Sequence, residues 1–206
     1  MARPRHSDQD ILDAAGELLL EKGPRAATID AIAGASGAPK GSIYYRFKSR
    51  DEIFASLWIR ASERFQAALL PFADQDDPVE ATVRGALAVY DFCDARRADT
   101  RLLLSFRQQD LWDEALPPDL RRHLADLNRP IARVQRDMAK RLYGDDGRDA
   151  LERLRRAVFD IPLGIVREHV TTNKPLPPGA RIDLERAVRA VVAAPLHENR
   201  PQARSS

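Results

Sequence analysis

The chain has 206 residues, of which 44% are hydrophobic, 31% charged and 6% aromatic, a balance that suits a folded helical protein and excludes a disordered or collagen-like one. No stretch free of Asp, Glu, Lys and Arg exceeds nine residues, well short of the roughly 20 that a spanning helix needs. Residues 1–6 lack the apolar segment of a secretory signal, so a cytoplasmic protein with no membrane contact is expected. The net charge is only +2, yet residues 22–50 hold six bases against the single acid Asp30, a local charge of +5.

Ile11, Ala15, Leu18 and Leu19 recur at helical spacing and predict a first helix over 7–21, capped by Ser7 and ended by Gly23 and Pro24. Thr28 opens a second, short helix through Ile29, Ile32 and Ala33, which must stop around Ser36 and Gly37. Pro39 fixes the entry of a third, whose Ile43 and Phe47 lie four apart on one inward face. Ser49 with Glu52 forms a capping-box pattern that opens a long helix, apolar along Ile53, Leu57, Ala61, Phe65, Ala68, Leu69 and Phe72. The segment 71–78 ends it. Further helices are predicted at about 79–95, 99–112, 119–143, 148–171 and 182–194. Leu120, Leu124, Leu127, Ile131, Val134 and Met138 give the 119–143 helix a bundle-type seam that Pro130 kinks, and Pro162 bends the helix after it. No strand pattern competes. The expected organisation is all-α: residues 1–48 as a three-helix unit, 49–195 as a helical bundle, and 196–206 as a polar, mobile tail.

Residues 28–50 carry the functional signal. Two short helices joined by the tight Ser36-Gly37-Ala38 turn, almost without acids, have the syntax of a DNA-binding helix-turn-helix. At about 100° per residue, burying Ile43 and Phe47 turns Gly41, Ser42 and Tyr45 outward, with Tyr44 and Arg46 on the flanks. That face is small and polar enough for a major groove about 12 Å wide. Gly41 permits close approach, Lys40, Ser42 and Tyr45 reach base edges or phosphates, and Tyr44 meets the backbone. Helix starts at Thr28 and at Ser49-Arg50 attract phosphate through their free N–H groups. A cation such as Arg50 in its own helix's first turn is unfavourable by roughly 0.3–1 kcal/mol unless an external anion sits there.

The run Ile11-Leu12-Asp13-Ala14-Ala15, Gly23, Thr28-Ile29-Asp30-Ala31-Ile32-Ala33, Gly37 and Gly41-Ser42-Ile43-Tyr44-Tyr45-Arg46-Phe47-Lys48-Ser49-Arg50-Asp51-Glu52-Ile53 resembles the tetracycline-repressor (TetR) family of bacterial regulators over about residues 7–58. The resemblance implies an all-helical homodimer with an N-terminal DNA-binding domain and a C-terminal domain for ligand binding and dimerisation. It places Thr28, Lys40, Ser42, Tyr44, Tyr45 and Arg50 at DNA-contact positions. Pro39 stands where the family usually has a side-chain cap, Gly34 interrupts the second helix, and Arg50 replaces the usual lysine.

Trp58, Phe65, Tyr90, Cys93, Phe106, Gln109, Trp112, Met138 and His169 put aromatic, polar or soft groups on predicted bundle helices and are the candidates for a ligand cavity. Residues 148–171 and 182–194 carry more apolar surface than one packing partner needs, which, with the resemblance, implies pairing with a second copy. Cys93 is the one cysteine and His6, His123, His169 and His197 are scattered, so no disulfide, metal site or other cofactor is expected. No catalytic residue is assigned, because the chain lacks a nucleophile elbow, a phosphate-binding glycine loop and a suitable carboxylate pair. The expectation is a homodimeric repressor that binds a pseudo-palindromic DNA operator and is released by a small-molecule effector of unknown identity. A DNA-binding global or architectural regulator without an effector, and a helical-bundle enzyme, are the alternatives.

Overall fold

The computed structural model describes residues 6–111 and 115–194. Trp112 and the tail expected at 196–206 lie outside the described residues. Those described are helices, turns and loops with no strand, and none of the helices is long and apolar enough to cross a membrane. The chain divides into two compact units. Residues up to Phe65 join Arg96–Asn128 in one, and Gln66–Ala95 joins the residues from Arg129 onward in the other.

In the first unit, α1 (Asp8–Lys22) opens with a reciprocal cap. The Ser7 hydroxyl accepts from the Asp10 N–H at 3.2 Å, and the Asp10 carboxylate accepts from the Ser7 N–H at 2.6 Å. Gly23, at a φ of 78°, ends the helix. Next come α2 (Ile29–Ser36), α3 (Lys40–Arg46) and α4 (Arg50–Leu69), whose last residues pass into the other unit. Ile11, Ile32, Ile43 and Ile53 are fully buried and form one core with Leu57 and Trp58. That core is completed from far along the chain, by Leu102 of α6 (Arg97–Ser105) and Leu124 of α7 (Pro118–Asp126).

The helix expected at 99–112 stops at Ser105, and the backbone turns extended at Phe106. The indole N–H of the buried Trp58 donates to the Phe106 carbonyl at 3.1 Å, giving a buried donor the partner it requires. A short 3-10 turn, Gln108–Leu111, follows.

The second unit is built around α5 (Pro78–Ala95), which packs against α8 (Arg129–Tyr143), α10 (Ile161–Thr171) and α11 (Ala180–Ala193). Ala81, Val83, Ala86, Val89, Phe92 and Cys93 are all buried, so the helix is covered on most sides, as expected for a central helix. The rim of α11 is tied to it by charge: the Arg181 guanidinium donates to both Asp91 oxygens at 3.0 and 3.1 Å. Arg189 likewise reaches Glu80 at 2.9 Å.

Two proline effects are larger than the sequence pattern predicts. The 119–143 segment is not one kinked helix but two, α7 and α8, separated at Leu127 and Asn128. Pro130 has no N–H to donate to Asp126, and its ring crowds the carbonyl four residues back, so the helix restarts instead of bending. The apolar seam is accordingly split: Leu124 and Leu127 are in the first unit's core, and Met138 belongs to the second unit. Similarly, the 148–171 segment is α9 (Arg148–Arg155), a π turn at Arg156–Asp160, and α10. The π turn immediately precedes the fully buried Pro162 and absorbs the hydrogen bond that proline cannot make.

Candidate nucleic-acid interface

The turn between α2 and α3 is made by three adjacent residues. The Ser36 hydroxyl donates to the Ile32 carbonyl at 2.7 Å and accepts from the Ala38 N–H at 3.3 Å. Gly37 takes the left-handed conformation at a φ of 70°, which side chains resist. Ala38 is then buried and Pro39 enters α3 without a side-chain cap. Thr28 caps α2 by accepting the Ala31 N–H at 3.2 Å.

The seven residues of α3 divide sharply. Ile43 is fully buried and Phe47, just past the helix, is buried with it. On the other side Tyr45 is 83% exposed and Tyr44 50% exposed. Apart from its chain neighbours and the helix's own backbone, no atom of the described residues lies within 4 Å of where a β-carbon on Gly41 would stand, so packing among them does not require a glycine there. Its smallness clears space on the outer surface. Lys40, Gly41, Tyr44 and Tyr45 are exposed and Ser42 is half-buried, so the expected residues of α3 share one side.

Each cation near this face already has a partner in the isolated protein. Lys40 Nζ lies 2.6 Å from Asp30, and both side chains are exposed. An exposed pair of this kind is worth about 0–1 kcal/mol, so a phosphate can displace it. Arg46 bridges to Asp8 at 2.9 Å and donates to the Ser42 hydroxyl at 3.1 Å, holding that side chain along the helix. Arg50 lies 3.5 Å from Asp51, donates to the Pro24 carbonyl at 3.4 Å and stacks 5.4 Å from the Phe54 ring centre. These contacts offset the dipole penalty expected at the start of α4 without an external anion. The α4 start is also capped: the Ser49 hydroxyl accepts from the Glu52 N–H at 3.1 Å, and Glu52 accepts from the Lys48 N–H at 2.6 Å. The reciprocal bond thus falls one residue earlier than the capping-box pattern predicts. Asp30 and Asp8 as partners of interface cations were not foreseeable from helical spacing, since both pairs close only when the three helices fold together.

The residues expected to line a ligand cavity are dispersed. Trp58, Phe65, Phe106 and Gln109 belong to the first unit, where Trp58 is a buried core residue and Gln109 is exposed. Tyr90, Cys93, Met138 and His169 belong to the second, with Tyr90 and Cys93 buried on α5. Burial raises the Tyr90 phenol above its ordinary range, with Asp94 and Asp91 adding to the effect. Met138 lines an apolar pocket, together with Val134, Gln135 and Thr82, which spacing alone did not single out. Among the described residues no group of three or more His, Cys, Asp or Glu is placed to hold a metal ion.

The profile of the bacterial regulatory proteins of the tetR family matches residues 11–57. Over 50 residues the chain is 36% identical to the HTH-type transcriptional regulator AcrR of Shigella flexneri, a match that spans 24% of this chain and 23% of that protein. A TetR-like transcriptional regulator from Rhodococcus superposes with a TM-score of 0.69 at 21% identity, covering 94% of this chain and 99% of its own. The ketosteroid transcriptional regulator KstR2 of Mycobacterium tuberculosis superposes at 0.67 and 18% identity, covering 94% and 95%. The aligned N-terminal segment is the one that contains α2, the Gly37 turn and α3, and the likeness in fold extends along nearly the whole chain. Residues 11–57 thus match the helix-turn-helix segment of the tetR family of bacterial regulatory proteins, and the fold of nearly the whole chain is similar to that of solved regulators described as TetR-like.

Proposed function

We propose that the protein is a homodimeric transcriptional repressor whose two copies of α3 enter successive major grooves of a pseudo-palindromic operator, and that a small molecule releases it. The observation that carries this reading is the outer side of α3, where Tyr45 and Tyr44 stand exposed beside a glycine that packing does not need. In this reading Gly41 admits the groove edge, Lys40, Ser42 and Tyr45 reach bases or phosphates, and Thr28, Tyr44 and Arg50 hold the backbone. Residues 1–48 are the DNA-reading part, 49–195 the responding and dimerising part.

Dimerisation is supported by apolar surface on the last two helices. Ile182 on α11 is 56% exposed, and Leu163 and Ile165 on α10 are only half-buried in the single chain. A two-fold interface over such a surface presents two equivalent recognition helices, matched to half-sites about 34 Å apart. Release requires only that the effector bind the DNA-competent and incompetent states unequally. A coupling of about 1–3 kcal/mol corresponds to roughly 5- to 150-fold in operator affinity. Helix α4 is the proposed carrier, because only three residues separate it from the end of α3 and it finishes in the second unit.

Selection of bound fragments from the protein's own genome, followed by gel-shift titration and sedimentation, tests the reading. The expected result is a two-fold-related sequence bound by a dimer. A monomer at micromolar concentration, or binding indifferent to sequence, overturns it.

A further inference from the structure

A chain of three side chains links the start of α1 to the outer surface of α3. Arg46, in the last turn of α3, places Nε 2.9 Å from the Asp8 carboxylate and donates through Nη1 to the Ser42 hydroxyl at 3.1 Å. Ser42 lies one helical turn before Arg46, so the two side chains share a face. Both N–H groups leave one planar guanidinium in fixed directions, a geometry that a lysine ammonium does not reproduce. Asp8 is anchored in its turn. It opens α1, in a first turn where acids suit the helix dipole, beside the Ser7–Asp10 cap and shortly before the fully buried Ile11.

Two features set Arg46 apart from the other cations of this face. Its side chain is 21% exposed, against 57% for Lys40 and 42% for Arg50. Lys40 gives up one exposed pair when it turns to a phosphate, whereas Arg46 would give up both Asp8 and Ser42. The second feature is what it holds, a hydroxyl on the surface assigned to DNA. A serine hydroxyl has one O–H to donate and two lone pairs to accept with. The guanidinium takes a lone pair and keeps the hydroxyl hydrogen away from its own side, so the O–H is the group left for an outside partner. Guanine N7 and O6, adenine N7 and thymine O4 are the acceptors that a major groove offers to it.

We propose that Asp8 and Arg46 are positioning residues that present the Ser42 hydroxyl to DNA as a hydrogen-bond donor, so that base preference at one pair of each half-site depends on α1 as well as on α3. The proposal rests on the operator-binding reading above and adds to it two specificity residues that touch no base. Arg46, although a cation, then governs which sequence is chosen more than how tightly DNA is held, since phosphate contacts carry affinity and base contacts carry selectivity. Asp8 repels phosphate by its charge. Neutralising it therefore raises binding to every sequence while lowering discrimination among them, two opposite changes that a loss of folding does not produce.

The test selects bound sequences from a randomised DNA library with the full chain, then titrates single-base variants of the selected operator at several salt concentrations. Ser42→Ala is expected to reduce discrimination at one base pair of each half-site by roughly 2- to 10-fold, the loss of one hydrogen bond. Arg46→Lys, which keeps the charge, and Asp8→Asn, which lies outside α3, should reduce it at that same pair. Combined with Ser42→Ala, each should add less than about twofold. The salt slope should be unchanged in Arg46→Lys, and Asp8→Asn should also raise affinity for unrelated DNA. Unaltered base preference in any of the three variants, losses spread evenly over all base pairs, or losses that multiply in the double variants overturn the proposal. Should Arg46→Lys lower the melting temperature, Asp8→Asn puts the same question from a helix that does not enter the groove. A wild-type chain that selects no sequence removes the regulator reading and this proposal together, whereas a selected operator whose Ser42-dependent pair ignores Arg46 and Asp8 removes this proposal alone.

Discussion

Helices α3 and α5 solve opposite problems with similar residue types. The seven-residue α3 buries Ile43, sets Phe47 beneath its end, and leaves two tyrosines in water. By contrast α5, with 18 residues, buries ten of them and places its aromatic Tyr90 and Phe92 inside. Among the described residues the exposed large apolar side chains are Tyr44, Tyr45 and Ile182, so two of the three sit on α3, the shortest α-helix among those residues. A soluble domain exposes such groups at a cost in solubility and gains nothing in stability, which is why the pattern points to a partner. The lesson is that α3 is built around side chains that project outward and α5 around side chains that pack inward.

That contrast can be broken at several points. The largest effect is expected from Ile43→Ala, which hollows the first unit's core. It should cost about 2–5 kcal/mol of stability, read as a lowered midpoint in urea denaturation, and a shift below half a kcal/mol would contradict the assigned buried side. Tyr45→Ala should do the reverse, leaving the melting curve within experimental error while weakening operator binding by about 1–3 kcal/mol, or roughly 5- to 150-fold. If both variants lose stability equally, the division of α3 into an inner and an outer side is wrong. Arg50→Ala should weaken binding across all sequences and lower the salt slope by about one unit; an unchanged slope in titrations at several salt concentrations would remove Arg50 from the phosphate contacts.

Smaller effects sharpen the electrostatics. Asp30→Asn frees Lys40 from an exposed pair worth about 0–1 kcal/mol, so operator affinity should rise by up to about fivefold, and a fall would mean that Asp30 is needed to position Lys40. Smallest is a pH effect in the second unit. Arg189 first, then Arg84, hold the Glu80 carboxyl below its ordinary 4.5. A depressed carboxylate contributes stability that is present above its unfolded pKa and lost as pH falls through the folded value. Arg189→Gln should therefore lower the melting temperature slightly at neutral pH and leave it unchanged at the acid end, so that the acid limb below about pH 4.5 flattens. An identical acid limb in the variant would show that the pair does not persist in solution.

The sequence by itself determined the local matters: the Ser7 and Thr28 caps, the glycine turn, the inward step from Ile43 to Phe47, and hence the identity of the outward residues on α3. All of these depend on neighbours within four residues, where helical geometry leaves no choice. It also marked Pro130 and Pro162 as disturbances, but not their outcome, since a missing N–H can be met by a kink, a break or a π turn according to what packs alongside. Only the tertiary structure decided that Leu102 and Leu124 complete the first unit's core, that Asp8 and Asp30 pair with Arg46 and Lys40 respectively, and that the Trp58 indole N–H donates to Phe106. It likewise decided which residues surround empty space. A cavity is defined by the atoms that several distant segments fail to supply, and no spacing within one segment records that failure.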